Sequence, residues 1–261
     1  MNAAIDGVAA LGRGTIGAVR ATGNLTLFAL SGLSHLLRPP FYGRAFLRAL
    51  IEIGFFSLPV VALTAVFTGM VLALQSSTGL ARFSADSAIA SLVVLSVTRE
   101  LGPVLAALMV AGRVGAAMAA EIGTMRVTDQ IDALSTLSTN PMKFLVAPRL
   151  LAGIVALPFL VIVADILGVL GGMIIATVKL GFNVTTYLHN TVNFVQVQDV
   201  LSGLAKAAMF GFLITLLGCF HGYRSRGGAQ GVGAATTSAV VSASVLILAF
   251  DYVLTELFFG R

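Results

Sequence analysis

The chain has 261 residues, of which 57% are hydrophobic and only 10% are charged, and its mean hydropathy is +0.98. Soluble domains carry about 25% charged residues, so this composition excludes a soluble globular protein and indicates an integral membrane protein. The formal net charge of +5 is no sign of nucleic-acid binding, because in a membrane protein the distribution of Lys and Arg matters more than their sum. We expect one domain, residues 1–261, built as a single helical bundle.

Residues 1–48 are predicted to form an interfacial amino-terminal region. The apolar run Asn24–Leu37 has 14 residues, which reach about 21 Å as a helix and are too few to span a bilayer. Basic residues flank this run on both sides, namely Arg13, Arg20, Arg38, Arg44 and Arg48. A short apolar helix with basic flanks is typical of one that lies on the cytoplasmic leaflet.

Five later segments within residues 50–259 are predicted to be transmembrane helices, because each is apolar and long enough for a hydrocarbon core of about 30 Å. They are residues 53–75, 87–120, 150–178, 200–221 and 237–258. The second segment allows two interpretations. One helix between Asp86 and Glu121 would reach about 50 Å, so it is either a single helix that projects into the cytoplasm or two short spans broken at Gly102–Pro103.

The distribution of basic residues favours the single helix. In that topology ten basic residues are cytoplasmic and three are outside, which obeys the positive-inside rule. The cytoplasmic set is Arg13, Arg20, Arg38, Arg44, Arg48, Arg126, Lys143, Arg149, Arg224 and Arg226, and the outer set is Arg82, Lys179 and Arg261. The sequence therefore predicts five spans, with the amino terminus in the cytoplasm and the carboxyl terminus outside.

Charged residues occur inside the apolar segments, where each costs roughly 2.5–3.5 kcal/mol unless it is paired or hydrated. They are the adjacent Arg99 and Glu100, and also Asp165, Lys206 and Asp251. Lys206 is a candidate partner for Glu100, and Asp251 for a basic group on another helix. Two interpretations stay open: a polar patch in a substrate cavity, which we favour for Glu100, and ion pairs that fix helix register, which we favour for Asp165.

Small residues recur every four positions along the second segment, in two series that would let helix backbones touch. The series are Gly112, Ala116 and Ala120, and Ala111, Gly115, Ala119 and Gly123. They fit either packing within one chain or a homodimer seam. Arg113 and Glu121 share one face of the same helix but lie about 12 Å apart along its axis, too far for a direct ion pair.

The polar segment 124–148 is predicted to begin as a short helix and to break at Asn140–Pro141. Apolar residues recur at three-residue spacing on one side of this helix, with acidic residues on the other. The apolar set is Ile131, Leu134 and Leu137, and the acidic set is Asp129 and Asp132. Such an amphipathic helix can insert into a groove on a soluble partner, and it also fits a helix that lies at the membrane surface.

No enzyme site is evident in the sequence. The GRGTIG run at residues 12–17 has the spacing of a dinucleotide motif but follows no predicted strand, and no GxxxxGK(S/T) phosphate loop occurs. The chain is therefore not expected to hydrolyse ATP itself. The three His residues are scattered and Cys219 is the single cysteine, so we expect no metal site and no other cofactor.

Three stretches of the chain resemble the MlaE family of ABC-transporter permeases. They are RELGPVLAALMVAGRVGAAMAAEIGTMRVTDQIDAL from Arg99, NPMKFLVAPRLLAG from Asn140 and AFDYVLTELFFG from Ala249. The similarity extends from Glu52 to Gly260 and is most specific between Arg99 and Arg149. This resemblance implies five spans behind an interfacial helix, with a cytoplasmic coupling helix between the second and third spans.

The resemblance also implies a function. Members of this family are permease subunits in the bacterial inner membrane that move phospholipid between that membrane and the outer envelope. It implies a homodimer, cytoplasmic ATP-binding subunits that supply the energy, a periplasmic MCE-domain protein and, in some systems, a STAS-domain protein. ATP would then be bound by the partner subunit, so the permease is not an enzyme and needs no cofactor of its own.

Carried over residue by residue, the resemblance implies that Arg99, Glu100 and Lys206 lie at a lipid cavity, and we add Asp251 because it is charged at similar depth. The ATPase would grip a coupling segment from Glu121 to Leu137. The candidate coupling residues are Glu121, Arg126, Asp129, Asp132, Leu134 and Leu137. From the residues alone two other functions stay open: an ion-coupled transporter with Glu100, Asp165 and Asp251 as relay groups, and a structural anchor for an envelope complex.

Overall fold

The computed structural model describes residues 2–36, 38–80 and 89–260, and every regular element in these ranges is helical. The helices are α1 (Asn2–Leu36), α2 (Gly43–Ile53), α3 (Leu58–Leu80), α4 (Ile89–Ser96), α5 (Gly102–Val110), α6 (Ala116–Val127), α7 (Gln130–Thr136), α8 (Ala147–Val178), α9 (Val184–Phe194), α10 (Val197–Tyr223) and α11 (Gly228–Phe259). A 3-10 turn (Phe55–Ser57) joins α2 to α3, and π turns precede α5, α6 and α8 at Val97–Leu101, Ala111–Gly115 and Met142–Val146. Four residues used in the predictions above lie outside the described residues, namely Leu37, Arg82, Asp86 and Arg261.

Consecutive helices combine into five continuous spans that are long and apolar enough to cross a membrane. Span 1 is Gly43–Gly79, span 2 is Ile89–Val127, span 3 is Met142–Val178, span 4 is Val197–Tyr223 and span 5 is Gly228–Phe259. The prediction of an all-helical membrane protein with five spans is confirmed. Most spans extend beyond the predicted apolar segments, because backbone hydrogen bonding continues into flanking residues whose polar side chains can reach water.

The amino-terminal helix is longer than the sequence suggested. Instead of a helix limited to Asn24–Leu37, α1 runs for 35 residues from Asn2 to Leu36. The GRGTIG glycines lie inside it, with no heavy atom within 4 Å of the positions where side chains would begin. Glycine costs about 1 kcal/mol in a helix, which weakens α1 without breaking it. Leu25, Phe28 and Ala29 dock the carboxyl-terminal half of α1 against spans 3 and 4.

Span 2 is one helix of 39 residues, about 58 Å long, as the charge distribution predicted. Gly102–Pro103 does not break it. Pro103 stands in the first turn of α5, directly after the π turn Val97–Leu101, where the regular hydrogen-bond ladder is already interrupted. A proline at such a point removes no further helical bond, so the chain continues without a stop.

Span 3 is the central helix of the bundle and packs against spans 1 and 4 through backbone contacts at glycines. A Cβ atom at Gly69 in span 1 would lie 1.8 Å from the carbonyl oxygen of Gly168 in span 3. A Cβ atom at Gly211 in span 4 would lie 2.1 Å from the carbonyl oxygen of Gly153. Helices in lipid gain stability from such close approach, since no hydrophobic driving force acts between them.

Gly211→Ala is expected to lower the free energy of unfolding by about 1–3 kcal/mol, because the new methyl group can be accommodated only if spans 3 and 4 move apart. Gly23→Ala is the matched control: nothing lies within 4 Å of its Cβ position in α1, so it should be neutral or slightly stabilising. Thermal unfolding in detergent measures both variants. Equal melting temperatures for the two would contradict this account of the span 3–span 4 contact.

The two series of small residues in span 2 have different surroundings. Ala111, Gly115, Ala119 and Gly123 are buried inside the chain. Gly115 and Ala119 touch span 4. Gly123 approaches Ser225, just before span 5, and Val232 near the start of span 5. In the other series Gly112 is exposed, with open space beside its Cβ position. The first series therefore serves packing within the chain, whereas the homodimer seam stays a prediction for the second.

Candidate functional site

Four charged residues predicted to lie at a cavity meet near one end of spans 2, 4 and 5. Arg99 and Glu100 stand in the π turn Val97–Leu101 of span 2, Lys206 lies on span 4, and Asp251 lies on span 5. The π turn widens the helix locally and interrupts its regular bonding, a feature that is frequent at functional sites.

Lys206 is the centre of this cluster, and its side chain is 0% exposed. Its ammonium group donates hydrogen bonds to Glu100 Oε2 at 2.7 Å, to Thr255 Oγ1 at 2.7 Å and to the carbonyl oxygen of Arg99 at 3.1 Å. Asp251 Oδ1 lies 3.0 Å away in an ion-pair contact that lacks hydrogen-bond alignment. The predicted pairing of Lys206 with Glu100, and of Asp251 with a basic group on another helix, is confirmed.

Thr255 contacts the Glu100 carboxylate and the backbone of Asp251. Its hydroxyl oxygen lies 3.1 Å from Glu100 Oε1 and 2.8 Å from the carbonyl oxygen of Asp251. The side chains of Glu100 and Arg99 are 37% and 35% exposed, so these are the members of the cluster that a ligand can reach most readily. The Lys206 ammonium thus faces the carboxylates of both Glu100 and Asp251.

Arg99 turns away from Lys206 toward a different partner. Its Nη2 and Nε lie 2.7 and 2.8 Å from Asp199 Oδ1, and its guanidinium stacks 4.4 Å from the ring centre of Phe259. Arg99 and Glu100 therefore contact different neighbours, as expected of adjacent residues on a helix. Asp199 and Phe259 stand at the start of span 4 and the end of span 5, which places the cluster near one mouth of the bundle.

Asp199 is the functional candidate that the sequence reasoning missed. It is 1% exposed, and its Oδ2 accepts a hydrogen bond from the backbone nitrogen of Gln196 in a capping box at the start of α10. The spacing of Gln196 and Asp199 directly before an apolar run is the signal that could have found it. Asp165 is also separate from the cluster: its Oδ1 rests against Gly102 and has no hydrogen-bond partner among the described residues.

The predicted coupling segment lies at the opposite end of the bundle and is held by two ion pairs. Arg149 pairs with Glu121 at 2.7 Å, and Arg126 pairs with Asp132 at 2.7 Å. As predicted, Arg113 does not pair with Glu121. Arg113 Nε and Nη2 instead donate to Ser57 Oγ at 3.1 and 2.9 Å, and Nη2 also donates to the carbonyl oxygen of Glu52.

The three apolar residues of this segment do not form one face, which corrects the prediction. Ile131 is buried against Ile122 and Leu145, Leu134 is half-buried beside it, and Leu137 is 75% exposed. The reason is that α7 ends at Thr136, so Leu137 follows the helix in a turn and points away from the core. Asp129 and Asp132 are exposed as predicted, and Asp129 begins the helix in the left-handed region with φ of 56°.

Residues 46–257 match the family model of the permease MlaE. The chain belongs to the MlaE permease family. It is 57% identical over 249 residues to a probable ABC transporter permease protein of Rickettsia felis, which covers 95% of this chain and 96% of the relative. It is 35% identical over 262 residues to the intermembrane phospholipid transport system permease protein MlaE of Haemophilus influenzae, covering 98% of each. The chloroplastic protein TRIGALACTOSYLDIACYLGLYCEROL 1 of Arabidopsis thaliana is 35% identical over 224 residues, 86% of this chain and 64% of that protein.

The family resemblance inferred from the three sequence stretches is therefore confirmed. This MlaE-family chain is the membrane subunit of a transporter, built as a multi-pass helical bundle. The matched range contains the whole Lys206 cluster and the predicted coupling segment, so both lie in the part of the chain that matches the family model.

Proposed function

We propose that this MlaE-family permease moves phospholipid between the bacterial inner membrane and the outer envelope, and that a separate cytoplasmic ATPase supplies the energy. The observation that carries the proposal is the Lys206 cluster. Paired charges inside an apolar bundle are rare and commonly mark a substrate pathway, and a phospholipid headgroup is a polar ligand that enters at this depth.

The chemistry of the cluster suits a zwitterionic headgroup. The exposed edge of Glu100 can accept from headgroup donors, and the exposed part of the Arg99 guanidinium can donate to a phosphate oxygen. Lys206 is fully buried and holds Glu100 in place rather than contacting the ligand. Acyl chains would lie along the apolar side chains of spans 2 and 5. We infer that two copies of the chain enclose this cavity as a homodimer.

Energy would enter at the other end of the bundle. We infer that Leu137 and the exposed Asp129 and Asp132 contact the ATP-binding subunit. The Glu121–Arg149 pair would link that contact to span 3. Five basic residues lie at or near this end, either in spans 2 and 3 or in the turn between spans 4 and 5. They are Arg126, Lys143, Arg149, Arg224 and Arg226. Their position supports a cytoplasmic coupling segment and amino terminus under the positive-inside rule. A periplasmic MCE-domain protein would exchange lipid with the permease, and a STAS-domain protein would join the ATPase.

Glu100→Gln is expected to reduce phospholipid transport about tenfold or more, because it removes the charge from the exposed group of the cluster while keeping its shape. The measurement is ATP-driven lipid transfer by the co-purified complex in proteoliposomes. Glu256→Gln, an exposed carboxylate near the end of span 5, is the matched control and should transport normally. Unchanged transport by Glu100→Gln would remove that residue from the mechanism.

The class of transporter has its own test. Gentle purification of the chain from its native membrane, followed by mass spectrometry, should recover an ATPase with a phosphate-binding loop together with phospholipid. Gradient-driven transport by the chain alone, with no ATPase present, would contradict the proposal and favour the ion-coupled alternative.

A further inference from the structure

A lateral recess with a volume of about 530 Å³ lies beside span 3, and none of the charged residues of the Lys206 cluster lines it. Spans 2 and 3 form its base, and α9 with the start of span 4 forms its upper wall. Its walls are almost entirely aliphatic. Ile166 of span 3 and Val192 of α9, both at its rim, are more than half exposed, so the recess opens sideways on the lipid-facing surface of the chain.

The two hydroxyl groups of the recess offer no free donor. The Thr98 hydroxyl donates to the carbonyl oxygen of Val94 at 2.8 Å, and the Thr191 hydroxyl donates to that of Tyr187 at 2.9 Å. Both hydroxyl protons are therefore used locally, and only oxygen lone pairs remain for a ligand. Asp165, the third polar residue of the lining, is an acceptor when ionised.

Tyr187 anchors α9 and adds no free donor. It is buried, and its hydroxyl donates to the carbonyl oxygen of Val169 at 3.4 Å. Burial raises the pKa of Tyr187 to about 12, so this hydroxyl stays protonated at physiological pH.

Gly102 leaves room for the Asp165 carboxyl. A Cβ atom at Gly102 would lie 2.0 Å from Asp165 Oδ1, so only glycine leaves room for the carboxyl there. Oδ1 is buried and has no hydrogen-bond partner among the described residues. Because Oδ1 faces Gly102, a ligand in the recess meets Asp165 from its other side, where the residue lines the recess. A carboxylate with so few partners is costly in an apolar bundle, and a ligand that supplies a donor and a positive charge would offset the cost.

We propose that this recess binds a phospholipid whose headgroup carries N–H donors, of the phosphatidylethanolamine class. The ammonium group meets Asp165 and the lone pairs of Thr98 and Thr191, while an acyl chain lies along the aliphatic walls. Phosphatidylcholine has the same net charge but no N–H donor, and phosphatidylglycerol offers hydroxyl donors but brings a net negative charge toward Asp165. The site is separate from the Lys206 cluster and rests on the proposed function only in taking phospholipid as the ligand.

The test is competitive lipid retention by the permease, purified in detergent with whatever subunits accompany it. The protein is equilibrated with equal amounts of phosphatidylethanolamine, phosphatidylcholine and phosphatidylglycerol of identical acyl chains, and bound lipid is counted by native mass spectrometry. We expect phosphatidylethanolamine to exceed phosphatidylcholine by about tenfold, as one charge-assisted hydrogen bond warrants. Asp165→Asn should abolish that preference, and Glu256→Gln should retain it.

A second variant keeps the test valid if Asp165→Asn fails to fold. Val192→Phe places a bulky ring at the exposed rim of the recess and should lower phosphatidylethanolamine retention with no loss of stability. Equal retention of the three lipids by the unmodified protein, or a preference that survives Asp165→Asn, would overturn the proposal. Either result would leave ATP-driven transport and its dependence on Glu100 intact, so failure here is distinguishable from failure of the proposed function.

Discussion

Lys206→Met is expected to lower the free energy of unfolding by about 3–5 kcal/mol, the cost of leaving buried charges without their partner. The substitution removes the only cation that contacts both Glu100 and Asp251 in the described structure. The carboxylates of Glu100 and Asp251 are then left inside the bundle without their shared cation. Partial exposure of Glu100 places the effect toward the lower end of that range. A fall in melting temperature of roughly 10 °C follows for a chain of this size.

Cys219 provides the measurement. It is the single cysteine and is fully buried, so a thiol-reactive dye labels it only when the bundle opens. Heating the purified variants in detergent with such a dye therefore reports unfolding directly. If Lys206→Met melted like the unmodified protein, the cluster would not hold spans 2, 4 and 5 together.

The fully neutral variant separates a structural from a transport role for these charges. Combining Lys206→Met with Glu100→Gln and Asp251→Asn removes the formal charges of Lys206 and its two carboxylate partners at similar volume, which is often neutral or stabilising for a buried ion pair. We expect its melting temperature to recover and its lipid transport to stay lost. Recovery of transport as well would mean that the charges serve only helix register.

Leu137→Ala is expected to weaken association with the ATPase about tenfold or more while the permease stays folded. A large apolar side chain exposed in the turn after α7 is unusual at a polar surface, and burial of such an anchor carries much of the energy of an interface. The measurement is the amount of ATPase that co-purifies with each variant, together with the melting temperature of the permease.

Leu257→Ala is the control for this prediction. Leu257 is also 75% exposed but lies near the end of span 5, at the mouth opposite the coupling segment. It should leave ATPase association unchanged. If the two variants lost the ATPase equally, or neither did, Leu137 would not be an anchor of that interface.

Several contacts of the site, as well as the fold, were predicted from the sequence. The pairing of Lys206 with Glu100 was expected because unpaired charges in lipid are costly and few partners exist. The separation of Arg113 from Glu121 followed from helix geometry alone. A short helix between spans 2 and 3 was predicted, but the expected common face of Ile131, Leu134 and Leu137 was wrong because it assumed that α7 continues for one more residue than it does.

Other features lay beyond any pattern in the sequence. Asp199 is a partner of Arg99 although the two residues are 100 positions apart, and only the packing of span 4 on span 2 brings them together. No pattern in the sequence indicated that Asp165 would face a recess or that Gly102 would leave room for its carboxyl. The length of α1 was also missed, since its glycines weaken helix propensity and its docking on spans 3 and 4 restores stability.

Sequence alone determined the membrane class, the number of spans and the continuity of span 2, because hydropathy and the asymmetry of Lys and Arg depend on neighbours along the chain. The tertiary structure decided which charges pair, which small residues touch and which carboxyl is left alone in a recess. Those outcomes depend on how each helix is rotated and how closely two backbones approach, and residues far apart in the chain set both.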